Sequence, residues 1–171
     1  KEGQIVSSSL IRSLVKKGDL ERTASFLGRP YSFFGTVIRG HGRGKEIGFP
    51  TANLDPHNEV MPPEGVYAVW VRIFDCSLVE IKNGWFQIEK RLIGDHLRAV
   101  LNYGTCPTFG DAEAALPEVH LLDFKRDLID KTVEVQIGLR IREEIKFPDA
   151  QALKTQISKD IESAKNWFNH H

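Results

Sequence analysis

The chain is poor in the residues that staple or anchor a protein. Two cysteines, Cys76 and Cys106, among 171 residues are too few for a disulfide framework. They also form no C-x-x-C pair and no Cys/His metal spacing, so both read as free thiols in a reducing compartment. Charge of one sign is lacking as well: Lys+Arg and Asp+Glu stand at 23 each. That balance removes the bulk basic field expected of a protein that holds nucleic acid or an anionic membrane surface. No apolar run approaches membrane-spanning length, and the opening KEGQIVSSSLIRS has no continuous apolar signal region. The reading is a cytoplasmic protein with no nucleic-acid and no membrane partner. Its 41% hydrophobic content suffices for one ordinary domain with a core, plus an appendage.

What the chain does have is concentrated in residues 39–54, RGHGRGKEIGFPTANL. Gly40, Gly42, Gly44 and Gly48 leave the backbone bare and permit positive φ, so successive N–H groups can converge on an anion. Arg43 and Lys45 among those glycines suit phosphate better than they suit a plain turn. Just downstream, Thr51 and Asn53 alternate with Ala52, and an extended chain points both oxygens to one side, where a hard cation such as Mg²⁺ could use them. Neither standard phosphate motif fits, because Gly44-Lys45 is followed by Glu46 and no strand-to-helix pattern frames a dinucleotide fingerprint.

Around this segment the periodicity changes twice. Residues 8–27 carry Leu10, Ile11, Leu14, Val15, Leu20 and Ala24 at helical spacing, interrupted at Gly18-Asp19, which predicts two short helices with caps among Ser7, Ser8 and Ser9. After Gly28-Arg29-Pro30, the β-branched and aromatic segments 31–39, 66–74, 97–102, 118–124 and 131–141 read as strands with no helix between them. Such a series predicts an antiparallel sheet or closed barrel. Leu153, Ile157, Ile161, Ala164 and Trp167/Phe168 then predict one amphipathic helix capped by Asp149. Residues 75–96 fit either a hairpin turning at Asn83-Gly84 or a long flap, with Trp85 and Phe86 read as its core.

Glu118, His120 and Leu122 alternate onto one face, which an apolar Leu122 marks as the edge of an interior. Taken alone, Glu118 reads more readily as a solvated strand end than as a general base. His120 reads as an orienting or structural histidine, since no second ligand stands at metal spacing. Phe109, in the loop that follows Asn102-Tyr103-Gly104, reads as core packing. Arg142, at the end of the last strand, has the position of an ordinary surface ion pair.

Four motifs in order nevertheless resemble one family. They are GHGRGKEIGFPTANL; Leu101-Asn102-Tyr103-Gly104 leading to Pro107-Thr108-Phe109-Gly110; Glu118-Val119-His120-Leu121-Leu122-Asp123-Phe124; and Ile141-Arg142-Glu143-Glu144 with Lys146-Phe147. Residues 28–168 so resemble the riboflavin kinase family, in particular the kinase module of bacterial bifunctional riboflavin kinase/FMN adenylyltransferases (FAD synthetases). The resemblance implies a mainly β fold, a six-stranded antiparallel Greek-key barrel with a C-terminal helix and a short helical N-terminal segment. It implies transfer of the ATP γ-phosphoryl group to riboflavin, giving FMN and ADP, with Mg²⁺ as cofactor. Matched motif by motif, Gly40, Gly42, Lys45, Gly48, Pro50, Thr51 and Asn53 would bind ATP, Thr51 and Asn53 would ligate Mg²⁺, Glu118 would be the base, and Arg142 and Phe147 would hold the flavin. Residues 1–28 resemble the tail of the preceding adenylyltransferase module, and 29–171 the kinase domain; the upstream H-x-G-H motif is missing, so adenylyl transfer is not expected of this chain. Two departures stand out: residues 75–96 lengthen a connection that is short in the family, and Asp127-Leu128-Ile129-Asp130 replaces an aromatic-Gly pair. A non-catalytic flavin- or nucleotide-binding barrel remains the alternative.

Overall fold

A computed structural model describes residues 6–40, 42–57, 59–82, 85–104 and 116–171, with 43 and 76–90 as backbone only. Two helices lead, α1 (Ser8–Lys17) and α2 (Leu20–Leu27). Ser7 caps the first by accepting from the Leu10 amide at 3.2 Å, and Asp19 caps the second by accepting from Arg22 at 3.3 Å. Capping oxygens at these positions satisfy amides that the helix cannot. The break expected at Gly18-Asp19 is therefore where one helix ends and the other begins.

Six strands follow: β1 (Ser32–Ile38), β2 (Ala52–Asp55), β3 (Gly65–Lys82), β4 (Trp85–Gly104), β5 (Leu116–Leu121) and β6 (Thr132–Arg142). A one-turn helix, α3 (Arg43–Glu46), lies between β1 and β2, and α4 (Ala150–Phe168) closes the chain. The strands form a closed barrel in the order β1-β2-β5-β4-β3-β6, every pairing antiparallel. The steps from β2 to β5 and from β3 to β6 give the expected Greek-key character. Closure leaves no unpaired sheet edge in the barrel.

Alternation sends one side of each strand inward, and Phe33, Val37, Leu54, Tyr67, Val69, Leu101, Val119 and Val135 fill the interior. A second apolar cluster lies outside the barrel, where Val66, Ala68, Val100 and Leu122 are covered by Ala164 and Phe168 of α4. Trp70 packs on Phe168 with ring centroids 4.6 Å apart. Burial of a Val, Leu or Phe of this cluster contributes about 1.5–3 kcal/mol, so α4 is fastened to the outer surface rather than merely appended.

Residues 75–96 resolve into the hairpin alternative. The β3–β4 ladder runs without a partner change from Gly65↔Tyr103 to Lys82↔Trp85, whereas β6 stops pairing with β3 at Phe74↔Thr132. The segment is thus a two-stranded extension of barrel strands. The expected turn at Asn83-Gly84 and the side chains of Trp85 and Phe86 lie outside the described residues.

Candidate active site

The outer face of the barrel carries the site, because inward positions on the same strands are already filled. Leu54 and Val119 are interior residues, so their neighbours Asn53 and Glu118 face out. Register then sets the order: Asn53 pairs with Glu118, Glu118 with Asn102, Asn102 with Val66, and Val66 with Arg142. These five residues form one row across β2, β5, β4, β3 and β6. At about 4.8 Å per strand, three steps separate the Glu118 and Arg142 backbones by about 14 Å. One transverse line therefore joins the Thr51-Asn53 segment, the candidate base and the candidate flavin residue.

This corrects the expected placement of Glu118 and His120 at the edge of an interior. Leu122 is buried, but in the cluster under α4. An apolar residue on that face reports a second core outside the barrel, and alternation alone cannot distinguish the two.

Residues 39–40 and 42–50 lie against the Asn53 end of the row. The α3 turn is closed by Lys45 N–H to Gly42 carbonyl at 3.0 Å and Gly48 N–H to Lys45 carbonyl at 3.2 Å, and the Phe49 amide returns to the Gly44 carbonyl at 2.7 Å. The helical turn was not legible, since a run so rich in glycine has low helix propensity. Gly42 (φ 74°) and Gly48 (φ 91°) occupy left-handed conformations, the use expected of them. Gly40 and Gly44 act through close approach instead: a Cβ on Gly40 would overlap the Asn53 amide, and one on Gly44 would meet the Phe49 carbonyl and, at 3.0 Å, Thr51 Oγ1. Lys45 is exposed on the turn; the Arg43 side chain lies outside the described residues.

Thr51 Oγ1 donates to Glu118 Oε2 at 3.2 Å. His120, two residues along β5, hydrogen-bonds through Nδ1 to the Pro50 carbonyl at 2.8 Å and meets the Phe49 ring edge-on at 5.9 Å. Thr51, Asn53, Pro50 and Glu118 are thus brought together, as the motifs implied.

At the other end of the row, Arg142 is held by α4. Its Nε lies 3.0 Å from both carboxylate oxygens of Asp160, Nη2 donates to Oδ2 at 2.8 Å, and Nη1 donates to the Glu143 carbonyl at 2.8 Å. Gln156 adds a bond to Asp160 at 2.9 Å. The Asp160 side chain is only 4% exposed and that of Arg142 19%, so this is a buried, bidentate pair and not the ordinary surface pair its position suggested. The guanidinium also lies over the Phe147 ring, 5.6 Å from its centre. Asp160 was missed in the sequence, yet it left a signal: an acidic residue between Ile157 and Ile161, inside the apolar stripe of α4.

Glu144 completes this end. Its carboxylate occupies the space a Gly104 side chain would take, and its Oε2 is buried with no hydrogen-bond partner among the described residues. Burial first, then the nearby Glu64 carboxylate and a hydrogen bond with it, push the Glu144 carboxyl up to about 7, against a lowering by Arg142. Phe109 and the rest of its loop lie outside the described residues.

The donor set suits a hard cation that arrives with a nucleotide. Among the described residues no three His, Cys, Asp or Glu side chains cluster as a metal site. Thr51 and Asn53 offer neutral oxygens on the outer face, a set that phosphate oxygens and water would have to complete into the shell Mg²⁺ prefers.

Comparison with known proteins agrees with this architecture. A family model described as riboflavin kinase (Flavokinase) matches residues 27–168. The bifunctional riboflavin kinase/FMN adenylyltransferase of Haemophilus influenzae is 42% identical over 168 residues, 98% of this chain and 48% of the relative. Those of Bacillus subtilis and Escherichia coli are both 36% identical, over 96% and 97% of this chain and 47% of each relative. A Streptococcus pneumoniae crystal structure named as a macrolide-efflux protein superposes with a TM-score of 0.73 at 34% identity, covering 98% of this chain and 49% of its own. The chain spans about half the length of the curated relatives it matches. By the extent of the family match and of these identities, the chain belongs to the riboflavin kinase family.

Proposed function

We propose that this chain transfers the γ-phosphoryl group of ATP to the 5′-hydroxyl of riboflavin, with Glu118 as general base. The observation that carries the reading is the row itself, in which the Thr51-Asn53 segment, Glu118 and Arg142 lie in register on one outer face. Phosphates enter beneath the glycine loop, with Gly40, Gly42, Gly48 and Lys45 around them and Pro50 and Thr51 at its end. Thr51 and Asn53 would hold Mg²⁺, which when bound offsets phosphate charge. The flavin ring system lies toward Arg142 and Phe147, and its ribityl chain runs back along the row to Glu118.

Glu118 accepts the 5′-hydroxyl proton as that oxygen forms its bond to the γ-phosphorus, while the bond from phosphorus to the ADP oxygen breaks. Such transfer depends on positioning and charge neutralisation more than on covalent participation by the protein. Thr51, by donating to Glu118, fixes the carboxylate orientation before substrate arrives. The ordered hydrogen bonds at both ends of the row support this division of roles.

Residues 1–28 we assign to the end of a preceding adenylyltransferase module and 29–171 to the kinase domain, an assignment supported by a family match that begins at residue 27 and by relatives about twice as long. We also place this chemistry in the cytoplasm, in keeping with two cysteines that form no disulfide framework; as a separate fact, among the described residues no helix is long and apolar enough to cross a membrane. The test is incubation of the chain with riboflavin, ATP and Mg²⁺, with FMN measured by chromatography. FMN that requires all three is expected. Binding of both ligands with no FMN formed would overturn the reading in favour of a non-catalytic barrel.

A further inference from the structure

We infer that His120 is the positioning residue of the nucleotide site, setting the Pro50–Thr51 peptide plane through its hydrogen bond to the Pro50 carbonyl. A carbonyl oxygen only accepts, so Nδ1 carries the hydrogen and donates across 2.8 Å. Of the two neutral tautomers, only the one with hydrogen on Nδ1 can make this bond. The edge-on contact with Phe49 holds the ring in that orientation.

The consequence passes through the peptide bond. In a trans peptide the carbonyl and the following N–H point in opposite directions, so drawing the Pro50 carbonyl toward β5 turns the Thr51 N–H away from it. No cis bond interrupts this relation. Thr51 is then fixed three ways: by the Pro50 plane, by its own bond to Glu118 at 3.2 Å, and by the bare Gly44 backbone beside its hydroxyl. Extending the ladder of Ala52↔Val119 by one residue places Thr51 opposite His120. The histidine and the base, two positions apart on β5, thus hold adjacent parts of the same segment. His120 acts on the glycine loop's exit and Glu118 on the reacting oxygen.

The inference rests on the kinase reading only for its consequence in turnover; its direct readout is nucleotide binding. His120→Phe keeps a ring against Phe49 and removes the donor, whereas His120→Asn returns an amide N–H to the Nδ1 position. Binding of Mg²⁺ with a non-hydrolysable ATP analogue is measured by calorimetry, and riboflavin binding by quenching of its fluorescence. Loss of one such hydrogen bond weakens binding by about tenfold. We expect that loss for His120→Phe, recovery to within about threefold for His120→Asn, and riboflavin affinity unchanged in both. Nucleotide affinity at the wild-type level in the Phe variant, or an Asn variant as weak as Phe, overturns the inference. If the Phe variant fails to fold, His120→Gln, whose amide lies one bond too far out, supplies the same contrast with Asn. A wild-type chain that binds nucleotide in this pattern but makes no FMN refutes the kinase reading and leaves the role of His120 standing.

Discussion

Asp160→Ala removes the partner of a half-buried guanidinium, and the size of its effect follows from the geometry. Arg142 directs Nε and Nη2 at Asp160 over 2.8–3.0 Å, and if that carboxylate is lost the Glu143 carbonyl is the one hydrogen-bond acceptor left to it among the described residues. Breaking one side of a buried pair costs about 3–5 kcal/mol, because the remaining charge is left desolvated. Arg142 retains 19% exposure, so water can reach part of it and the lower end, about 3 kcal/mol, applies. In urea, with a slope of about 2 kcal/mol per molar, the unfolding midpoint should fall by about 1.5 M. Asp160→Asn keeps one oxygen acceptor and should lose about half as much. The kinetic counterpart is a raised KM for riboflavin with the KM for ATP unchanged, since Arg142 would be released from its place beside Phe147. Surface substitutions stay within about 0.5 kcal/mol. A midpoint shift in Asp160→Ala that small would refute the claim that α4 orients this arginine.

Three further outcomes follow from the same geometry. Glu118→Gln should leave riboflavin and ATP affinity intact while lowering turnover by about 10²–10⁴; unchanged turnover in a steady-state assay removes Glu118 as the base. Gly40→Ala should abolish Mg²⁺-dependent nucleotide binding in a calorimetric titration without loss of the barrel's circular dichroism, because the new methyl displaces the Asn53 amide; normal binding would show that Asn53 is not needed where it stands. For Glu144, the folded state holds a proton up to about pH 7 that an ordinary carboxyl loses near 4.5. Stability should therefore fall as pH rises between those values and level off above them. Melting curves at pH 5 and 7.5 should show a larger fall in wild type than in Glu144→Gln, and equal falls would contradict the assigned burial.

The legible and the illegible parts of this chain divide by range of interaction. Helix caps at Ser7 and Asp149 could be read because their partners lie three residues away, whereas Asp19 read only as a break between helices and caps the second one. The strands β1, β3, β4, β5 and β6 announced themselves through β-branched alternation. The four residues of β2 escaped, since Ala52-Asn53-Leu54-Asp55 is too short for a period to emerge and is defined by its neighbours in the barrel. Motif resemblance singled out Thr51, Asn53 and Glu118 as candidates, but nothing local says that positions 53 and 118 are register partners. Likewise, Asp160 is visible as an oddity in an apolar stripe, while its meeting with Arg142 depends on how α4 lies across the barrel.

The placement of the site outside the barrel follows from a competition for the interior. Six strands enclose a space already filled by Phe33, Leu54, Tyr67, Leu101 and their neighbours, and no room is left there for a ligand. Polar chemistry must therefore occupy outward positions, where a bare strand surface would leave a base fully hydrated. The chain covers that surface twice, with the glycine loop over Asn53 and with α4 over Val66 and Leu122. Glu118 stands between these covers, close to a neutral donor and three strands from the guanidinium. Barrel register sets the distance between the two ends of the row, and the two covers set how dry each end is. A change in the loop should accordingly act on nucleotide binding and a change in α4 on flavin binding, with the strand positions between them coupling the two only through Glu118.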